Sequence, residues 1–443
     1  MFVELRKKSI LVVCVLAFVV QSAISVLAIS KGPSTPFDEF THFDYVIKLS
    51  KGHLPSTNEK YGQSALKFML CIGDKPIDQN LPIDCKGKGI DPYFAPFSGQ
   101  SSATGYPPHY YLLTAIPFEM CDRTTSFAEI TCARYANSVW LAMSASASAA
   151  LMLMFGSSAI LALVISIGYA SLSPVLLQGV TVNSDAVVQF LAPILVILAW
   201  QVARRINDLK RISVIWFLVL FLVIPFKQTL IPIAMISTLF LWHWLSSNSK
   251  FDRLKSFSFL GLAFFSSVIA TFLLQKLQVP WRGIGGGDFM GPAIRVDWIT
   301  VPISLLNATN FSLMPFGDLR WDPIAGYALV SFGALISLLG WIAWFAGPSD
   351  SETQHDEVHT TPFISPSIRT ISFVLVPLIP VIMSIALWLA YGTIPTNARY
   401  YMATAMTLGC IGVASTSNKS LKLLFSTVMA SSIIFMICTL LTI

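Results

Sequence analysis

The chain has 443 residues, 54% of them apolar and only 12% charged, and its mean hydropathy is +0.68. A soluble globular domain carries about 25% charged residues, so a water-soluble enzyme is excluded and a polytopic membrane protein is indicated. The net charge is +6, but the basic residues are scattered through short loops, a pattern that reports orientation in a bilayer and not nucleic-acid binding.

A membrane-crossing helix needs about 20 mostly apolar residues. The first such stretch, 9–29, follows Arg6, Lys7 and Lys8. It is too long for the apolar part of a signal peptide, and no Ala-x-Ala-like cleavage site follows. It therefore reads as a retained helix with a cytoplasmic N-terminus. Next comes Thr35-Pro36-Phe37-Asp38-Glu39-Phe40-Thr41-His42-Phe43-Asp44-Tyr45. Asp38 and Glu39 fall at the membrane–water boundary, where a carboxylate is costly without a partner or a task. Phe40, Phe43, Val46, Ile47 and Leu49 recur at helical spacing, which predicts a short amphipathic helix lying on the outer leaflet and ended by Gly52 and Pro55. Asp38 either caps that helix or does chemistry, and the spacing does not choose. The stretch from Pro107 to Phe118 is apolar but too short to cross, so it is expected to dip into the outer interface.

Further spans are predicted at 132–155, 158–178, 184–203, 212–226, 228–245, 257–277, 323–346, 370–391, 400–416 and 422–442. The result is an all-α polytopic architecture of about 11 crossings, read as one membrane domain over 1–443. The pair 212–226 and 228–245 is too long for one helix and short for two, with Pro225 and Lys227 at the break. With the N-terminus inside, Arg204, Arg205, Lys210, Arg211, Lys250, Arg253, Lys255, Lys419 and Lys422 all fall in cytoplasmic loops, as the positive-inside rule requires. The acidic loop 347–369 departs from the pattern, although acidic residues count for little in that rule. Two long external loops result, 30–131 and 278–322, and loops of that length usually carry function or local structure. No internal repeat or matched pair of broken helices is visible, which weighs against an inverted-repeat transporter.

On this topology several polar positions share the external side. Asn183-Ser184-Asp185 opens the span at 184–203; Asp185 caps it or does chemistry. Lys227 interrupts Pro225-Phe226-Lys227-Gln228-Thr229 and either snorkels or holds a phosphate. Arg399, in Thr396-Asn397-Ala398-Arg399-Tyr400-Tyr401, is a basic residue outside, and its guanidinium matches phosphate geometry. Arg134 is similar but is explained by headgroup contact. A lipid-linked phosphate needs cations at the outer boundary, and glycosyl transfer needs a carboxylate base for the acceptor hydroxyl; the set offers both.

These residues resemble the pattern of the GT-C superfamily of integral-membrane glycosyltransferases, in particular bacterial members related to protein O-mannosyltransferases and lipid A aminoarabinose transferases. Asp38-Glu39-Phe40-Thr41-His42-Phe43 is similar to the Asp-Glu pair of the family's first external loop. Pro107-Pro108-His109-Tyr110-Tyr111-Leu112-Leu113 resembles the element that closes that loop, with His109 replacing an apolar residue. Asn183-Ser184-Asp185 matches an Asn-x-Asp opening a later span, and Arg399-Tyr400 an Arg-Tyr near the C-terminus, without the family's proline soon after it. The likeness covers roughly 1–230 and 390–410. It implies a polyprenyl-phosphate-sugar donor, a glycan, lipid or protein acceptor, and an inverting single displacement at the external face of a bacterial inner membrane. Asp38 would be the base and Glu39 a supporting carboxylate, or the base if the pair is reversed. Lys227 and Arg399 would hold the donor phosphate, and His42, Tyr110, Asn183 and Asp185 would contact substrate. A divalent cation bridging the carboxylates and the phosphate is compatible with this set, but no ligand spacing demands one. The main rival is a transporter or flippase of lipid-linked sugars; a non-catalytic assembly or channel subunit is the second.

Four of the seven cysteines, Cys71, Cys85, Cys121 and Cys132, lie in or beside the first external loop, where an oxidising exterior permits disulfides. Four cysteines allow three connectivities; Cys71–Cys85 is the expected bridge, because a short Gly- and Pro-containing segment joins them. Cys14, Cys410 and Cys438 are expected only to pack. Gly283-Ile284-Gly285-Gly286-Gly287-Asp288 lacks the flanking strand and Lys-Ser/Thr of a phosphate loop and reads as a loop over the acceptor site. Trp281, Trp298 and Trp321 suit an interfacial belt. Asn307-Ala308-Thr309 and Asn310-Phe311-Ser312 are glycosylation sequons.

Overall fold

The computed structural model describes residues 2–32, 39–56, 59–69, 89–95, 99–247, 251–282, 368, 370–372, 399–416 and 419–442. Asp38, Cys71, Cys85, the glycine-rich stretch 283–288, both sequons, Trp298, Trp321, the span at 323–346 and nearly all of 370–391 lie outside these residues. Among the described residues every regular element is helical, apart from one isolated bridge between Lys60 and Gln100.

The α-helices in chain order are α1 (Phe2–Ser30), α2 (Glu39–Ser50), α3 (Gln63–Lys67), α4 (His109–Thr124), α5 (Glu129–Met154), α6 (Ala159–Ala170), α7 (Ser173–Val180), α8 (Asp185–Arg205), α9 (Leu209–Val223), α10 (Ile231–Ser247), α11 (Arg253–Arg282), α12 (Arg399–Ser415) and α13 (Lys419–Thr442). Seven stretches among them are long and apolar enough to cross a membrane: Ile10–Ser30, Glu129–Met154, Asp185–Arg205, Leu209–Phe226, Gln228–Ser247, Arg253–Leu274 and Lys419–Cys438. These are seven of the roughly 11 crossings expected from the sequence. Two expected spans fall outside the described residues, and two, at 158–178 and 400–416, contribute only shorter apolar helices, Ala159–Ala170 and Met406–Ser415.

The helix expected over 158–178 is broken because of Pro174. Proline has no main-chain N–H and its ring clashes with the carbonyl four residues back, so α6 ends at Ala170 and α7 starts afresh at Ser173 with the proline in its first turn. Turn bonds from Ser171 N to Ile167 O (2.9 Å) and from Leu172 N to Tyr169 O (3.2 Å) carry the chain across the gap. Pro225 acts similarly between α9 and α10. Two short 3-10 turns, Ile224–Phe226 and Gln228–Leu230, flank an extended Lys227, so this stretch is two spans and not one.

Helix α5 is the axis of the bundle and packs on α1, α4, α6, α7, α8 and α12. Its middle, Ala142-Met143-Ser144-Ala145-Ser146-Ala147-Ser148-Ala149-Ala150, is almost entirely small residues, which lets neighbouring backbones approach closely, the usual device of helix packing in lipid. Gly179 on α7 lies directly against Leu141. Buried fractions sort the helices into layers: 67% of the span in α8 is covered and 61% of that in α5, against 28% in α1 and 19% in α13. The outer helices present Leu11, Leu16, Phe265, Ile269 and Leu423 outward, as a surface facing acyl chains does.

One end of the bundle gathers the starts of α2, α5, α8 and α10 with the ends of α7 and α9. The other gathers the ends of α8 and α10 with the start of α11, through Trp200 edge-on to Trp244, Arg204 over Trp200, and Trp242 bonded to Arg253 O (3.0 Å).

Candidate functional site

Helix α2 differs from the expected one-sided amphipath. Every residue from Glu39 to Ile47 is buried, including the four polar ones, because each polar side chain has found a partner inside the protein. The helix packs on α3, α4 and α5.

Glu39 opens α2, where the helix N-terminus favours a carboxylate. Arg134 of α5 grips it as a fork: Nε donates to Oε1 at 2.8 Å and Nη2 to Oε2 at 2.7 Å. The main-chain N–H of Val182, between α7 and α8, donates to the same Oε1 at 3.0 Å. Glu39 is 1% exposed and Arg134 7%. Arg134 also stands over the Phe68 ring, 5.6 Å from its centroid. This corrects the headgroup role expected for Arg134. Glu39 is held by three hydrogen bonds. Asp38, its neighbour in sequence, lies outside the described residues.

One turn along α2, His42 Nδ1 lies 2.7 Å from the Tyr111 hydroxyl. Its ring stacks between Tyr111 (5.7 Å) and Tyr106 (6.1 Å). Tyr45 also stacks on Tyr111, at 4.0 Å between ring centroids. The Tyr111 hydroxyl also bonds Ser184, and burial holds its pKa well above the usual phenol range. Tyr110, buried completely, donates to Asn137 Oδ1 at 2.6 Å; burial likewise raises its pKa. Asn137 shares its amide hydrogens among the carbonyls of Gln178 (3.0 Å), Gly179 (3.0 Å) and Thr181 (2.6 Å). It thereby satisfies the last carbonyls of α7, which a helix end leaves orphaned. Tyr110 is thus a link between α4 and α5, sealed from solvent.

The third group belongs to the break at Lys227. Its Nζ lies 3.0 Å from Asp185 Oδ1, donates to Ser184 Oγ at 2.6 Å, and sits 5.1 Å from the centroid of the Tyr106 ring. Lys227 is 7% exposed and Asp185 1%, so this ammonium is buried and does not snorkel to the interface. Asn183 Oδ1 accepts the main-chain N–H of Asp185 at 2.9 Å, which sets the first turn of α8. His109, at the start of α4, places its ring 5.8 Å from Phe226; burial lowers its pKa, which keeps it neutral at pH 7.

Six of the eight residues expected at the site therefore join one connected network: Glu39, His42, Tyr110, Asn183, Asp185 and Lys227. Asp38 lies outside the described residues, and Arg399 is seen only as the first residue of α12. The network holds two buried ion pairs, each neutral overall, as burial demands of charges. Tyr106 is its most open described member, at 40% exposure. Sequence reading passed over Tyr106 and Asn137 and misjudged Arg134. A lone arginine with an asparagine one turn later inside an apolar helix was the available signal, since such residues in spans usually face the protein interior. Among the described residues no group of three or more His, Cys, Asp or Glu side chains is arranged to hold a metal.

The disulfide joins Cys121 at the end of α4 to Cys132 at the start of α5. It staples the tyrosine-bearing helix to the helix that carries Arg134. The expected Cys71–Cys85 bridge lies outside the described residues.

No protein-family model, curated protein or solved structure matches the chain.

Proposed function

We propose that the protein is a membrane glycosyltransferase of GT-C type, which moves a sugar from a polyprenyl-phosphate-linked donor to an acceptor hydroxyl at the external face of the membrane. The observation that carries this reading is the buried ammonium of Lys227, held beside Asp185 and the half-exposed Tyr106 at the bundle end where α2 begins with Glu39. A buried lysine at a helix break is costly, and capture of an anion at that end gives it a task.

In the proposed reaction Asp38 takes the proton of the acceptor hydroxyl. The acceptor oxygen attacks the anomeric carbon from the face opposite the phosphate, the bond from that carbon to the phosphate oxygen breaks, and configuration inverts. Lys227 and Arg399 balance the charge left on the polyprenyl phosphate. Glu39 and Arg134 fix the start of α2. The prenyl tail lies between spans, and the acceptor is a glycan, lipid or protein. A divalent cation remains compatible with Asp38 and the phosphate. The cytoplasmic N-terminus and the bacterial inner membrane belong to this proposal.

The test is transfer of labelled sugar from synthetic polyprenyl-phosphate sugars by purified wild type and Asp38→Asn. Transfer by wild type that disappears in the variant supports the reading; equal transfer by both removes Asp38 as base.

One observation favours a second reading, a transporter or flippase of lipid-linked sugars. The interruptions at Ser171–Leu172 and at Lys227 sit beside buried polar groups, and broken helices are where transporters hold charged substrates. Donor movement across vesicles without transfer would select it.

A further inference from the structure

Away from this network, a cavity of about 10 Å³, room for the centre of about one water, lies between α5, α6, α8 and α12. Tyr169 of α6 lines it. This side chain is 2% exposed, and its hydroxyl has no hydrogen-bond partner among the described residues. Leaving a phenol unsatisfied in an apolar interior is costly, so the cavity is expected to supply a partner.

The chemistry of the walls says what that partner is. Ser144 Oγ donates to Gln189 O at 3.0 Å, Ser166 Oγ to Leu163 O at 3.1 Å and Thr407 Oγ1 to Ala403 O at 2.8 Å. Each of these hydroxyl hydrogens is committed to a main-chain carbonyl, and each oxygen keeps lone pairs for accepting. Gln189 Nε2 donates to Gln178 Oε1 at 3.3 Å, and Ser148 adds a further hydroxyl. The lining therefore offers several acceptors beside a buried phenol with no partner among the described residues. Among the described residues it contains no Asp, Glu, Lys, Arg or His, so none of them would balance the charge of an ion. The complement of such a wall is a small neutral molecule with two donors and its own lone pairs.

We propose that this cavity is a bound-water site. The water accepts from or donates to Tyr169 and donates to the hydroxyl oxygens of neighbouring helices. It ties the end of α6, just before the break at Ser171, to α8 and to α12, the helix that begins with Arg399. This site is independent of the transferase reading, since none of its residues belongs to the network around Glu39 and Lys227.

Radiolytic footprinting of the full-length protein in nanodiscs made up in ¹⁸O-water tests it, because hydroxyl radicals born from a bound water modify only the side chains beside it. Cys410 lines the cavity and is 1% exposed; Met436 is 1% exposed and Met152 is buried completely, and neither lines it. After correction for intrinsic reactivity, Cys410 is expected to oxidise several-fold faster than Met436 and Met152. In Tyr169→Phe the Cys410 rate is expected to fall toward theirs while theirs stay unchanged. A wild-type Cys410 rate no higher than that of the two methionines overturns the proposal, whether or not the variant folds.

Discussion

Replacing Arg134 by methionine removes the guanidinium and leaves Glu39 as a buried carboxylate whose remaining hydrogen bond among the described residues is from the Val182 N–H. Both side chains are almost wholly covered. Removing one partner of a buried ion pair costs about 3–5 kcal/mol, because the other charge stays behind unpaired. The double substitution Glu39→Met with Arg134→Met leaves no charge behind. What remains is the orphaned Val182 N–H, worth about 1–3 kcal/mol. The double variant should therefore be more stable than Arg134→Met, an inversion of the ordinary rule that losses accumulate. Equilibrium unfolding in mixed detergent micelles, followed by tryptophan fluorescence, measures all three proteins. If Arg134→Met falls within about 1 kcal/mol of wild type, the pair behaves like a surface ion pair, and the burial argument for the start of α2 fails.

Asn137→Ala strips three carbonyls at the end of α7 and the Tyr110 hydroxyl of their partner; a loss of about 2–4 kcal/mol is expected, against about 0.5 kcal/mol or less for Ser138→Ala, whose hydroxyl bonds only within its own helix. Burial raises the Asp44 pKa above 3.8 despite the nearby Lys48 and the Gly62 N–H, so its contribution to stability is complete below pH 3.8 and is lost as the pH rises through the folded-state value. Asp44→Asn should gain on wild type as the pH is raised from 3.8 to 7, and a constant difference over that range would contradict the assignment. Glu59 titrates in the opposite sense. Its partial burial acts to raise its pKa, but the Ser56 N–H, His53 and Lys48 lower it below 4.5 overall. Its contribution is present above pH 4.5 and is lost as the pH falls through the folded-state value, and Glu59→Gln should remove that acid-side loss. Reducing the Cys121–Cys132 bridge releases a loop whose ends are 11 residues apart; a loss of about 3 kcal/mol is expected, with maleimide labelling of both thiols appearing only after reductant.

The parts of this fold legible in sequence are those written as local pattern. The apolar periodicity after Glu39 marked α2, and Pro225 with Lys227 marked the break between α9 and α10. The shared sidedness of Glu39, Asp185 and Lys227 followed from counting spans, and contacts at one end of the bundle agree with it. Pairing across long separations was not legible. Arg134 and Glu39 are 95 residues apart, and no local signal says that a charge near a span end turns inward to meet a helix from another loop. The same blindness made α2 look one-sided, since its polar face is buried only because Arg134, Tyr111 and the Gly62 N–H come to meet it. Hydropathy averaged over 158–178 concealed the break at Pro174, because a window reports composition and not a missing N–H.

The transferase reading meets its most direct test in reconstituted proteoliposomes given a polyprenyl-phosphate sugar and an envelope extract as acceptor, with wild type, Asp38→Asn and Lys227→Gln compared at matched folded protein. Wild type should transfer sugar, Asp38→Asn should bind donor without transferring, and Lys227→Gln should bind donor more weakly. Donor binding by wild type with no transfer to any acceptor, or transfer by Asp38→Asn at the wild-type rate, would contradict it.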